Sequence, residues 1–134
     1  MRIGLPFAML LLLAANTATA QPRGVHLSYS HTDAVTTATV TWFTDSIADP
    51  SVVTYGVVDD TELIANGTVF QGNDVLGAIH VVELTGLKPD TIYKYKAGGN
   101  GVWSAQAQFR TPPDNPCAPY RFVALGDNRP DVDG

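Results

Sequence analysis

One cysteine in 134 residues, Cys117, excludes a disulfide within the chain. An odd cysteine in an exported protein points to an intermolecular bond, a free thiol, or a partner in sequence beyond the chain, and the last reading is favoured here. Basic side chains are scarce too: 8 Lys and Arg stand against 13 Asp and Glu. Phosphate neutralisation needs clustered Lys and Arg, so the balance argues against nucleic acid as a partner. Apolar stretches are short, and only Leu5 to Ala15, dominated by "AMLLLLAA", runs on at length. It falls below the roughly 18 apolar residues a membrane span requires. With Arg2 before it and Ala18 and Ala20 after it, the run reads as a signal peptide, residues 1–20, cut after Ala20. The expectations are a secreted or periplasmic protein and no membrane span after cleavage. The remaining chain has a net charge of −6, since removal takes Arg2 and no acid. Helical periodicity is missing throughout: no segment repeats its apolar residues every 3.6 positions.

Short β-rich runs fill residues 21–111. "GVHLSYS" puts Val25, Leu27 and Tyr29 on one face, and "TTATVTWFT" sets Ala38, Val40 and Trp42 against three threonines. "SVVTYGVV", "ELIANGTVFQG", "AIHVVEL", "TIYKYKAGG" and "WSAQAQFRT" complete seven runs separated by turn residues. That pattern predicts an all-β fold, a seven-stranded fibronectin-III/Ig-like antiparallel sandwich. Asn66-Gly67 between apolar residues predicts a tight hairpin. In "LTGLKPDTIYKYK", Leu87, Pro89, Thr91 and Tyr93 alternate across a turn into a strand. Tyr93 there can return its hydroxyl to the corner, the tyrosine corner of such sandwiches. Tyr93, Tyr95 and Ala97 then share the inner face, with Lys94 and Lys96 toward water. Trp42 is the expected centre of the core.

The composition changes after Thr111. "PPDNPCAPY" carries four prolines in nine residues, which predicts a stiff extended linker over 112–119. "YRFVALGD" is then a nearly unbroken apolar run, suited to a strand buried on both faces of a second, α/β domain over 120–134. Asp127 follows that strand at its carboxyl end, where α/β folds place their ligands, and Gly126 lets the chain turn there. Gly-Asp after a strand is equally the chemistry of an ordinary turn. Asp131 and Asp133 lack the spacing and distal Glu of a calcium loop. His26, His31 and His80 have no acidic or cysteine companions at zinc-ligand spacing. Asn66-Gly67-Thr68 is also a glycosylation sequon, which matters only in a eukaryotic secretory pathway, and the hairpin gives a sufficient reason for it without sugar. Trp103 and the tyrosines could form a carbohydrate platform, although packing is their commoner use.

"GVHLSYS", "TVTWFT", "SVVTYG", "HVVELTGLKPDTIYKYK", "FRTPP" and "FVALGDNR", in this order, resemble the start of purple acid phosphatase-like proteins. The resemblance runs from Pro22 to about Arg129. It implies a fibronectin-III-like N-terminal domain followed by a calcineurin-like metallophosphoesterase domain, of which this chain holds the first strand. It implies Asp127 as a metal ligand of a dinuclear centre, iron with zinc, manganese or iron, whose other ligands come from later motifs this sequence does not contain. It also implies phosphate-ester substrates attacked by a metal-bound hydroxide. Arg129 is a candidate phosphate contact because a guanidinium matches phosphate geometry, and a plain surface arginine is an equal reading. Asp127-Asn128-Arg129 has no His two after the ligand, as on the purple acid phosphatase side, though that group more often reads Gly-Asp, an apolar residue and Gly. With one ligand, the chain alone is expected to be inactive. The alternatives are a free-standing fibronectin-III-like binding or spacer module, or the N-terminal part of an alkaline phosphatase D-like phosphoesterase.

Overall fold

A computed structural model describes residues 21–29, 32–58, 62–73, 76–115 and 117–119. The expected signal peptide, His31, the expected catalytic-domain strand, Asp127, Arg129, Asp131 and Asp133 lie outside the described residues. Nine strands follow one another with no helix among the described residues: β1 (Arg23–Tyr29), β2 (Ala38–Thr44), β3 (Val52–Val57), β4 (Leu63–Asn66), β5 (Thr68–Gln71), β6 (Ala78–Leu84), β7 (Ile92–Gly99), β8 (Val102–Trp103) and β9 (Ala107–Arg110). They form two antiparallel sheets, β1-β2-β6-β5 and β4-β3-β7-β8, with β9 also paired to β7. The all-β sandwich expected from the patterning is the fold observed.

Alternation decides which side of each strand turns inward, because successive side chains of a strand point to opposite faces. Ala38, Val40, Trp42 and Thr44 of β2 are buried, and Ala78, His80, Val82 and Leu84 of β6 are buried beside them. The registers Trp42↔His80 and Val40↔Val82 bring these inner positions level. The facing sheet contributes Val53 and Tyr55 from β3 and Tyr93, Tyr95 and Ala97 from β7, aligned as Val53↔Ala97 and Tyr55↔Tyr95. Trp42 is fully buried and stacks on the His80 ring at 5.0 Å and 7°.

The predicted hairpin at Asn66-Gly67 does not form. β4 pairs with β3 in one sheet, and β5 pairs with β6 in the other, so the chain changes sheets at Gly67. A β-carbon on Gly67 would stand 2.0 Å from the Val81 carbonyl oxygen, and the Gly67 N–H donates to the Ser51 carbonyl at 2.9 Å. Glycine is required there by the close approach of a neighbouring strand rather than by a tight turn. This crossover, and a break at residues 104–106 between β8 and β9, turn the seven expected runs into nine strands.

Candidate functional site

The end of the sandwich from which the chain leaves is built by the β6–β7 corner and the end of β9. Leu87 anchors the corner, 3% exposed, and its N–H donates to the Thr36 carbonyl at 2.9 Å. The Lys88 N–H donates to the Tyr93 hydroxyl oxygen at 2.8 Å. Tyr93 itself is buried, with its ring stacked on Phe109 of β9 at 5.5 Å. Pro89 is exposed in the turn, and its carbonyl accepts the Thr91 hydroxyl at 2.7 Å. Asp90 follows with φ 51°, a left-handed turn position that aspartate tolerates better than most residues.

Thr111 closes this corner from the other side. It is 1% exposed, although it carries a hydroxyl and sits at the end of an edge strand. Its hydroxyl donates to the Lys88 carbonyl at 2.6 Å and accepts the Thr91 N–H at 2.9 Å. Its own N–H donates to the Thr91 carbonyl at 3.0 Å, and the Asp90 N–H reaches the Pro112 carbonyl at 3.0 Å. The Arg110 guanidinium holds the Asp90 carboxylate at 2.9 Å, and the Tyr29 hydroxyl donates to the Arg110 carbonyl at 2.7 Å. The exposed ion pair contributes little on its own, roughly 0–1 kcal/mol. The buried hydroxyl satisfies two backbone groups together, and groups of that kind are costly to leave unpaired. Residues 110–112 are therefore fixed to the corner by bonds on three successive residues.

The prolines predict an extended linker beyond the clamp, but a local turn interrupts it at Asn115. The Asn115 side-chain oxygen accepts the Cys117 N–H at 3.0 Å, and its carbonyl accepts the Ala118 N–H at 3.0 Å. Asparagine side chains make this local turn by imitating a backbone acceptor. Cys117 is exposed with a free thiol.

None of the described histidines is placed as a metal ligand. The Thr44 hydroxyl gives its hydrogen to the Ser46 carbonyl at 3.0 Å, so at 2.8 Å from His80 Nε2 it accepts the ring N–H. His80 Nδ1 lies 2.9 Å from the Ser51 hydroxyl and accepts from it in the neutral ring, so both nitrogens are used. Burial lowers the His80 pKa below its ordinary value, opposed in part by Asp49. His26 is exposed, with Nδ1 2.9 Å from the Gly24 carbonyl of its own strand. Among the described residues no group of three or more His, Cys, Asp or Glu could hold a metal ion. Nor do the aromatics form a platform: Tyr55, Tyr93 and Tyr95 are core residues, and Trp103 lies half-buried with the Lys96 ammonium 5.9 Å from its ring.

The family model described as "Purple acid Phosphatase, N-terminal domain" matches residues 22–111. The chain belongs to this family. "Probable purple acid phosphatase 20" of Arabidopsis thaliana is 38% identical over 111 residues, 79% of this chain and 24% of the relative. "Purple acid phosphatase 21" of the same plant is 34% identical over 112 residues, 79% of this chain and 23% of the relative. The chain thus spans about a quarter of the length of these curated relatives. A solved purple acid phosphatase from yellow lupin (Lupinus luteus) seeds superposes with a TM-score of 0.61 over 70% of this chain and 20% of its own, at 21% identity, a likeness of fold. Within the purple acid phosphatase N-terminal domain, Trp42, Leu87 and Tyr93 lie together in the buried cluster, while Pro89 stays at the surface of the corner. Thr111 was missed in the sequence although "FRTPP" contains it. Its one signal is a threonine placed between a strand and two prolines.

Proposed function

We propose that this chain is the N-terminal portion of an exported, metal-dependent acid phosphatase, and that its sandwich fixes the direction in which the catalytic part leaves. The observation that carries this reading is the buried Thr111 clamp, which ties residues 110–112 to the β6–β7 corner where the purple acid phosphatase N-terminal domain match ends. A chain rigid to its last sandwich residue passes a fixed orientation to the linker and to the domain that the linker carries. On this reading residues 1–20 direct export, and residues 120–134 open the metallophosphoesterase domain with Asp127 as its first ligand. Arg129, two residues on, would meet the substrate phosphate, because a guanidinium matches phosphate geometry. The bound metals, iron with zinc, manganese or iron, would supply the hydroxide that attacks phosphate monoesters. None of the described residues fits a metal centre, so no step of that reaction is assigned to the sandwich.

Activity and metal content of residues 21–134 test the division of labour. The purified chain is expected to leave p-nitrophenyl phosphate intact with iron, zinc or manganese supplied, and to retain no stoichiometric metal after dialysis. Turnover with tightly held metal would place the chemistry within this chain and overturn the reading.

A further inference from the structure

Asn66-Gly67-Thr68 has the acceptor pattern for N-linked glycosylation, and it occurs once in the sequence. The observed strand register removes the hairpin that had accounted for the triplet. Gly67 keeps a structural reason, its contact with the Val81 carbonyl, but Asn66 and Thr68 do not share it. Both are exposed, and neither side chain has a hydrogen-bond partner among the described residues. The backbone beneath them is held firmly: Asn66 is in register with Val52, Thr68 with Val81, and the Gly67 N–H is bonded to Ser51. Asn66 is thus an accessible amide on a fixed support, and a bulky group attached there meets solvent.

The surroundings give such a group a use. Among the described residues β4 is the edge of its sheet, paired on one side only, and edge strands offer unpaired backbone groups to other chains. It is also apolar: Leu63 is 51% exposed and Ile64 67%. Ile64 lies two residues before Asn66, and alternate residues of a strand share a face. We propose that Asn66 is an N-glycan acceptor, and that the glycan shields the apolar edge strand β4. In the transfer the Asn66 side-chain nitrogen bonds the anomeric carbon of a lipid diphosphate-linked oligosaccharide. The bond from that carbon to the diphosphate oxygen breaks, the amide gives up one proton, and the lipid diphosphate leaves.

The test directs residues 21–134, which include every described residue, into the endoplasmic reticulum of a eukaryotic host behind the host's own leader. Chain recovered from the lumen or the medium should carry one glycan, released by peptide N-glycosidase with conversion of Asn66 to Asp in the tryptic peptide. Asn66→Gln and Thr68→Ala should both abolish it, whereas Thr68→Ser should keep it. Recovered chain with unmodified Asn66 would overturn the acceptor assignment. Light scattering tests the shielding: the enzymatically deglycosylated chain should self-associate several-fold faster than the glycosylated chain. Equal rates would overturn the shielding role even if the sugar is present.

Discussion

Gly67 and His80 show how single residues set limits on this fold. A β-carbon at Gly67 would collide with backbone, which cannot rotate aside as a side chain can. Gly67→Ala should therefore destabilise the sandwich by about 1–3 kcal/mol or more, the cost of forced overpacking, as read from urea unfolding. His80 makes the stability depend on pH. Burial lowers its pKa in the folded state, so the unfolded chain binds the proton more tightly. Its contribution is then complete above the ordinary histidine pKa of about 6.5 and declines as pH falls below that value. The melting temperature should drop between pH 7.5 and pH 5, and the part of that drop due to His80 should vanish in His80→Gln. An unchanged slope in that variant would exclude His80 as its source.

At the scale of elements, the corner and the last strand are coupled more closely than the strands alone require. Thr111→Val keeps the shape but strips one acceptor from the Thr91 N–H and one donor from the Lys88 carbonyl. A loss of about 1–3 kcal/mol is expected. Hydrogen exchange should quicken at Thr91 and Thr111 and stay unchanged in β2. If exchange quickened evenly over the whole sandwich, the clamp would not be a local device. The elements differ in how far the sequence revealed them. β2 and β6 were legible because one inner face produces strict alternation, and Trp42 and Leu84 fall on it. The Tyr93 bond spans five residues, a separation that local spacing can express. The Thr111 bonds join residues 20 and 23 apart, and nothing in "FRTPP" names its partners. The crossover at Gly67 was misread for a related reason: Asn-Gly is a turn signal only when the flanking strands pair with each other, and here each pairs elsewhere.

At the scale of the molecule, the described residues form a two-sheet sandwich whose pairing is dominated by contacts distant in sequence, with a polar, hydrogen-bonded exit at one end. Its membership of the purple acid phosphatase N-terminal domain family accounts for that architecture, and among the described residues no group of three or more His, Cys, Asp or Glu could hold a metal ion. The catalytic reading depends instead on Asp127, where the sequence offered one carboxylate after an apolar run and a motif too short to specify its partners. If "YRFVALGD" is the opening strand of a second domain, its backbone amides need neighbours from that domain to be protected. The most direct measurement is therefore the reading frame of the transcript 3′ of the Gly134 codon. The account predicts an open frame encoding further Gly-Asp, Gly-Asn-His and Gly-His-x-His motifs, which would complete the metal site begun at Asp127. A stop codon immediately after Gly134 would contradict it and leave the sandwich as a module in its own right.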